Sequence, residues 1–321
     1  MAAQNPAPRP APAATAGRAD AAGRSEDNDR LKRWATTAAV AVAALLIAGK
    51  TGAYLATGAV SLLSSLIDSL LDLLASLVNF VAIRQAAVPA DREHRFGHGK
   101  AEPLAGLAQA AFVAGSSVLL LFEAGSRLLR PTPIGSSAIG IAVMVVSIFL
   151  TLGLVLYQRY VVRKTDSVAI GADALHYRSD LMMNLSVIAA LVLSANFGIT
   201  LADPVFGIAI ALYILVSAWS IFSSSLSLLM DHELDEDDRA KIKAIASAHP
   251  AVISLHDLRT RSSGTQTFIQ FHLELNGGLT LLEAHAIADE VMEDVERAFP
   301  SAEVLIHEDP EGIEERRVVF H

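Results

Sequence analysis

Two stretches of this chain place carboxylates and an imidazole at helical spacing within otherwise apolar sequence. Asp68 and Asp72 are four residues apart, and so are His176 and Asp180, so each pair shares one helical face. A carboxylate in hydrocarbon is costly unless it is paired, hydrated or metal-bound. Three carboxylates and one imidazole that meet across a helix–helix contact suit tetrahedral Zn²⁺, or Cd²⁺ and Fe²⁺. The alternative is a structural hydrogen-bond network or the lining of a water cavity.

The basic residues near these pairs favour the metal interpretation. Arg178 is the nearest cation, but at two residues from His176 it points to a different helical face. Lys50 interrupts the first apolar run, and we expect its side chain to snorkel toward the outer interface. The chain has no cysteine, so any metal must be held by His, Asp or Glu.

Two further sets of ligand-type residues lie outside the apolar runs. Asp91, His94 and His98 follow one another in a polar segment, where such a set is equally typical of a solvated loop. The last 91 residues hold five such side chains on four predicted elements, more than a polar surface alone suggests: His256, His272, His285, His307 and Asp309.

Composition separates an apolar part of the chain from an acidic part. Of 321 residues, 52% are hydrophobic and only 18% are charged, fewer charges than soluble domains carry. From Asp231 onward there are 8 Lys and Arg against 20 Asp and Glu, a net charge of −12. No basic stripe is present, which argues against nucleic-acid binding.

The hydropathy pattern predicts six membrane-spanning helices, the fifth with charges in its first turns. Residues 1–29 are rich in Ala and Pro and are predicted to form a disordered tail. The predicted domains are therefore a six-helix transmembrane bundle over residues 30–230 and a soluble domain over residues 231–321. The expected spans cover about 33–54, 58–82, 103–122, part of 131–158, about 168–202, and 204–230.

Lys and Arg residues near the span ends predict the orientation. With six spans both termini lie on one side, and the side rich in Lys and Arg is normally cytoplasmic. The predicted cytoplasmic side carries Arg30, Lys32, Arg33, Arg84, Arg92, Arg95, Lys100, Arg159, Arg163 and Lys164. The other side carries Lys50, Arg127 and Arg130.

The C-terminal segment predicts a small α+β domain of αββαβ, ferredoxin-like order. In the second strand, Ile269, Phe271 and Leu273 alternate with polar residues, which is typical of a half-buried strand. Thr280 and Glu283 form a capping-box pattern at the start of the second helix.

The two helical pairs, on the second and fifth of six spans, resemble the cation diffusion facilitator family. The stretches 89–102 and 256–261 strengthen the resemblance, which covers about residues 31–310 and is greatest to bacterial zinc/iron efflux pumps. It implies a homodimer in the bacterial inner membrane that exports divalent metal in exchange for protons by alternating access. It also implies a role in metal homeostasis and detoxification, with Zn²⁺ as both cargo and structural ion and no other cofactor.

The resemblance also assigns roles to the ligand sets. It implies a transport site of Asp68, Asp72, His176 and Asp180. It implies a second, cytoplasm-facing metal site at Asp91, His94 and His98. The five tail residues are implied to form a binuclear zinc site at the dimer contact, with Asp309 as the bridging ligand. Lys100 and Asp231 are implied to form a charge interlock at the dimer.

Two other function classes fit the same residues less well. A membrane metallohydrolase needs an open coordination position for water and a separate base, whereas four protein ligands would close the shell. A metal sensor anchored by its helices would not need carboxylates inside those helices. The sequence therefore favours a transporter over an enzyme.

Overall fold

The computed structural model describes residues 14–57, 60–129, 138–197, 201–264 and 266–312. The chain passes from one compact unit to another between Met230 and Asp231. The unit before this boundary consists of long helices, and the segment after it is a small α+β domain.

Six long helices account for most of the described chain before Met230, as predicted. Five of them, all but the fifth, are long and apolar enough to cross a membrane. The fifth is equally long, but its first half carries Asp173, His176, Arg178 and Asp180. The helices are α1 (Ala14–Thr57), α2 (Val60–Ala86), α3 (Ala101–Leu129), α4 (Ala138–Thr165), α5 (Val168–Phe197) and α6 (Ala202–Leu229).

Helix α1 begins earlier than the sequence analysis expected. Its first residue is Ala14, so residues 14–29 are helical where a disordered tail was predicted, while residues 1–13 lie outside the described residues. The prolines of the N-terminal segment end at Pro12. Residues 14–29 contain no proline and include five alanines, the residue with the highest helix propensity. The N-terminal segment therefore changes in composition after Pro12.

Close packing joins α3 to α6. A Cβ atom added at Gly106 of α3 would lie 2.8 Å from the Ser225 hydroxyl oxygen of α6. A Cβ atom added at Gly207 of α6 would lie 3.2 Å from the Cβ atom of Ala124. Small residues at such crossings let helix backbones approach each other closely in membranes. A buried ion pair between Lys32 Nζ and Glu102 Oε2, 2.8 Å apart, joins α1 to α3.

The C-terminal segment has the predicted αββαβ order. Its three-stranded sheet has β2 in the centre, antiparallel to β1 and parallel to β3. The elements are α7 (Glu236–Ser247), β1 (Val252–Ser262), β2 (Thr267–Leu275), α8 (Leu281–Ala298) and β3 (Ala302–Pro310).

The core of this domain lies between one face of β2 and the two helices. Ile269, Phe271 and Leu273 are almost fully buried and pack with Ile242 of α7 and Val295 of α8. This confirms the predicted alternation, and it leaves the opposite face of β2 for polar side chains. The capping box at Thr280 and Glu283 is also present.

Candidate metal centres

The first centre lies between α2 and α5, where the two predicted helical pairs meet. His176 Nε2 lies 2.8 Å from Asp72 Oδ1 and 3.8 Å from Asp180 Oδ2. One ligand atom from each of these residues lies within 4.8 Å of the others. His176 is 6% exposed. We call this group the membrane cluster, and its nitrogen and oxygen donors can ligate a divalent metal ion.

Asp68, the fourth predicted ligand, lies in the wall of the same cavity but outside this tight group. A cavity of about 330 Å³ is lined by Asp68, Asp72, His176 and Asp180. Asp68 precedes Asp72 by one helical turn, so the two carboxylates share a face of α2. The arrangement therefore offers three donors already in contact and a fourth along the cavity wall.

Asp173, one turn before His176 on α5, is held by hydrogen bonds in a separate network. Gln158 Nε2 donates to its carboxylate over 2.6 Å, and Ser76 Oγ and Gln109 Nε2 donate over 3.4 and 3.5 Å. Asp173 is 1% exposed. Donors from α2, α3 and α4 thus solvate this carboxylate in place of water. Ser76, Gln109 and Gln158 are polar residues in otherwise apolar spans, and they could have predicted this network from the sequence.

The two cations near the membrane cluster behave differently. Arg178 leaves the cluster, as predicted, and its guanidinium lies 5.1 Å from the centre of the Tyr213 ring. Lys50 does not follow the prediction. Its Nζ donates to the Ser65 carbonyl over 3.1 Å and to Ser69 Oγ over 2.6 Å, and the side chain lines the cavity. These two acceptors on α2 turn the ammonium toward the interior of the domain.

The second centre is the segment between α2 and α3. Asp91 lies 3.5 Å from His94 Nδ1 and 3.5 Å from His98 Nε2, and the two rings have centroids 4.5 Å apart. The backbone N–H groups of His94 and Glu93 donate to Asp91 Oδ1 over 2.6 and 2.9 Å. These bonds, chiefly the one from His94, lower the pKa of Asp91. We call this group the loop cluster, and its Asp91 and His94 are exposed.

The third centre lies on the polar face of the tail sheet. His256 of β1 pairs in register with His272 of β2, which pairs with His307 of β3, so three imidazoles lie side by side. Asp309 is 5% exposed. Its carboxylate lies 2.8 Å from His272 Nδ1, 3.3 Å from His256 Nε2 and 3.2 Å from His307 Nε2. We call these four residues the tail cluster.

The tail cluster fits a bound metal ion. In the described part of the structure, the buried Nδ1 of His256 has no hydrogen-bond partner, and an unsatisfied buried nitrogen is costly. Three imidazoles around one carboxylate form a donor set typical of zinc. His256, His272, His307 and Asp309 would hold such an ion.

His285, the fifth predicted tail ligand, is not brought into the tail cluster. It lies on α8, and its side chain is 63% exposed. Its nearest acidic neighbours are Asp289, at 3.6 Å, and Glu308, at 4.0 Å. Nothing in the sequence gave the direction of this residue relative to the strand-borne histidines.

Asp257 is a neighbour of the tail cluster that the sequence analysis missed. A bulge in β1 between His256 and Arg259 gives Asp257 a φ of 48°, and its carboxylate lies 3.9 Å from His272 Nε2. In a regular strand, consecutive side chains point to opposite faces, so the sequence pattern places Asp257 away from His256. Arg259 donates to both carboxylate oxygens and thereby lowers the pKa of Asp257.

Each residue of the predicted charge interlock has a contact within its own compact unit. Lys100 Nζ donates to the Leu229 carbonyl over 3.4 Å. Asp231 accepts a hydrogen bond from Arg261 Nη1 over 3.5 Å and has a φ of 55°. The interlock between them stays a prediction.

Comparison with known proteins decides the family. Residues 36–230 match the cation efflux transmembrane domain, and residues 234–311 match the cytoplasmic domain of cation efflux proteins. The chain belongs to the cation efflux family. This confirms the predicted resemblance to the cation diffusion facilitators and makes the chain a membrane transporter of metal cations.

The family members most similar to this chain include bacterial pumps that match over nearly their full length. The cation-efflux pump FieF of Shewanella oneidensis is 52% identical over 87% of this chain and 94% of its own. FieF of Klebsiella pneumoniae is 45% identical over 88% of this chain and 94% of its own. A solved structure of CzrB in its Zn form is 33% identical, covers 27% of this chain and 99% of that chain, and has a TM-score of 0.25.

Proposed function

We propose that this family member exports divalent metal ions from the cytoplasm in exchange for protons, with Zn²⁺ as the preferred ion and Cd²⁺ and Fe²⁺ as further cargo. In this proposal Asp68, Asp72, His176 and Asp180 form the transport site. The observation that carries it is the contact of His176 with Asp72 and Asp180 in a cavity between membrane helices.

Proton coupling follows from the chemistry of these ligands. A metal ion binds deprotonated carboxylates and a neutral imidazole, so its binding releases protons and protonation weakens it. Histidine changes charge near physiological pH, which suits exchange between two sides of different acidity. Alternating exposure of one site is then sufficient for antiport. The arrangement supports a carrier rather than an enzyme, because the proposed ligands leave no dedicated position for a reactive water.

The two other clusters have supporting roles in this proposal. Asp91, His94 and His98 form a second, cytoplasm-facing metal site, which the exposure of Asp91 and His94 suits. The tail cluster holds structural zinc, and exposed His285 is directed toward the partner subunit of a homodimer. Lys100 and Asp231 are proposed to interlock at that dimer.

The proposed location is the bacterial inner membrane, with both termini in the cytoplasm. The excess of Lys and Arg at one set of helix ends supports this orientation. In that orientation the acidic tail and its cluster face the cytoplasmic metal pool, which suits a role in metal homeostasis and detoxification.

Transport in reconstituted vesicles tests this proposal. The full-length protein should move Zn²⁺ across the vesicle membrane when a proton gradient is imposed. Asp72→Ala should reduce this flux by about 100-fold or more, because it removes the carboxylate in closest contact with His176. Asp237→Ala, an exposed carboxylate in the first turn of α7, is the matched control. Normal transport by Asp72→Ala would show that the site assignment is wrong.

A further inference from the structure

Lys50 is a lysine in an apolar helix whose charged end is turned into the domain. Its Nζ donates to the carbonyl of Ser65 and to the hydroxyl of Ser69, both on α2. Ser69 is 1% exposed, so the contact is an interior one. The side chain is therefore fixed by two acceptors on the helix that also carries Asp68 and Asp72.

The same side chain forms part of the wall of the metal cavity. The residues that line the cavity include Lys50 together with three carboxylates, those of Asp68, Asp72 and Asp180. The Ser65 carbonyl and the Ser69 hydroxyl are neutral oxygens, so the hydrogen bonds that hold Lys50 at the cavity come from groups other than the proposed ligands. A fixed positive charge in a cavity that receives a cation repels that cation, and the repulsion is strong where water is scarce.

The charges of the cavity suggest what Lys50 does. Three carboxylates and one ammonium leave two negative charges, which a single divalent ion neutralises. Without the ammonium, the loaded cavity would keep one uncompensated carboxylate charge and would hold the ion more tightly. A membrane interior strongly disfavours such residual charge.

We propose that Lys50 is the resident counter-ion of the metal cavity and a determinant of its affinity and charge selectivity. It compensates one carboxylate when the cavity has no metal, and it weakens binding enough for the ion to leave. This inference rests on the proposed transport function. Lys50 is not a metal ligand in this proposal, because an ammonium offers no lone pair.

The alternative is that Lys50 only ties α1 to α2 through its hydrogen bonds. The two roles respond differently to substitution. Lys50→Gln keeps a hydrogen-bond donor near Ser65 and Ser69 but removes the charge, and Lys50→Arg keeps the charge. Ser69→Ala removes one hydrogen bond and leaves the charge in place. If Lys50 were only a mechanical tie, Ser69→Ala would lower the stability of the protein. Lys50→Arg and Lys50→Gln would then have similar Zn²⁺ affinities.

Metal titration of the full-length protein tests the proposal. The parent carries His98→Ala and His272→Ala, so that the loop and tail clusters do not contribute, and Zn²⁺ binding is followed by calorimetry in detergent. Lys50→Gln should bind Zn²⁺ at least about tenfold more tightly than the parent, since one repulsive charge is gone. In vesicles it should also transport more slowly at saturating Zn²⁺, because release is slower. Lys50→Arg should stay within about threefold of the parent.

The controls separate this inference from the transport proposal. Lys164→Met removes an exposed lysine from the last turn of α4 and should leave Zn²⁺ affinity unchanged. Unchanged or weaker Zn²⁺ binding by Lys50→Gln, with thermal stability retained, overturns the counter-ion role. If Lys50→Gln is unstable, Lys50→Met must bind Zn²⁺ more tightly than the parent in the same assay. If Lys50→Met does not bind more tightly, the counter-ion role is overturned in the same way. Asp72→Ala in this parent must lose binding; if it does not, the transport proposal itself fails.

Discussion

The membrane cluster and the tail cluster use the same ligand types in opposite settings. In the membrane, α2 and α5 bring one imidazole to two carboxylates beside a cavity of about 330 Å³. In the tail, three imidazoles contact the single carboxylate of Asp309, each within 3.3 Å. The first arrangement leaves space for an ion to enter and leave, whereas the second places nitrogen donors around both oxygens of one carboxylate. The comparison fits the proposed division in which the membrane cluster handles a passing ion and the tail cluster holds a resident one.

The clusters also differ in how their charges are balanced. Asp173 accepts hydrogen bonds from three helices, and Lys50 places a positive charge at the cavity, so the membrane domain limits its own excess negative charge. In the tail, Asp257 is bound by Arg259 at the edge of the cluster. In the proposed function the membrane cluster must be tolerated with and without metal, which accounts for the more elaborate compensation in the membrane.

Among the substitutions that test this comparison, we expect His272→Ala to have the largest effect, on the Zn²⁺ affinity of the tail. His272 lies in the middle of the histidine row, so its loss should reduce Zn²⁺ affinity of the tail by about 100-fold or more. Transport at saturating Zn²⁺ should remain within about twofold of the parent. Metal content per chain and vesicle flux, measured on the same preparation, check both parts.

His249→Ala is the matched control for that substitution. His249 contacts Glu290, at 3.3 Å, and is not a member of the tail cluster. Its replacement should leave both metal content and flux unchanged. If His272→Ala abolished flux while the membrane cluster still bound Zn²⁺, the division between a passing and a resident ion would be wrong.

The loop cluster provides an intermediate case, and its pH dependence is the second prediction. Because the pKa of Asp91 is lowered, its hydrogen bonds to the His94 and Glu93 N–H groups stabilise the loop fully above the ordinary pKa of an Asp. That stabilisation is lost only as the pH falls through the lowered pKa. The two amide resonances should therefore show an acid transition below about pH 4. NMR of the metal-free, selectively labelled protein measures this.

Asp91→Asn is the test of that assignment. An amide oxygen accepts these hydrogen bonds more weakly than a carboxylate, so both resonances should be shifted already at pH 7. The acid transition seen in the parent should disappear from these two amides. An unchanged transition in the variant would show that another group controls the loop.

Most of what the sequence could predict about the membrane cluster came from the helical spacing of its residues. The pairs at i and i+4 identify which side chains share a face, and the structure brings Asp72, His176 and Asp180 together. Spacing along one helix does not specify the rotation of one helix against another. For this reason the sequence could not predict that Asp68 lies along the cavity wall rather than in the tight group. It also could not predict that Lys50 points inward rather than outward.

Strand periodicity was equally informative for the tail, and it failed where the backbone is irregular. Alternation on β2 placed His272 on the polar face, but it could not give the register that aligns His256 and His307 with it. The bulge that turns Asp257 toward His272 has no marker in the sequence. The fold class and family followed from patterns within single elements, whereas these contacts depend on how separate elements meet.

The smallest predicted effect concerns the start of α8, where the tail domain depends on a purely local signal. Thr280 Oγ1 accepts from the N–H of Glu283, and the Glu283 carboxylate accepts from the Thr280 N–H and hydroxyl. These bonds, chiefly the one from the Thr280 backbone, lower the pKa of Glu283. Thr280→Ala should destabilise α8 by about 1 kcal/mol, the usual cost of losing such a cap. Amide hydrogen exchange in α8 should then be about fivefold faster.

Thr280→Ser provides the matched control, because it keeps a hydroxyl at the same position and should exchange at nearly the parent rate. The effect should be confined to the tail, because the capping bonds involve only Thr280 and Glu283, whereas α2 and α5 form the membrane cluster. Zn²⁺ flux should therefore be unchanged in both variants. Faster exchange accompanied by a proportional loss of Zn²⁺ flux would mean that the stability of α8 limits transport. The membrane and tail clusters would then not act independently, because the two domains would be coupled.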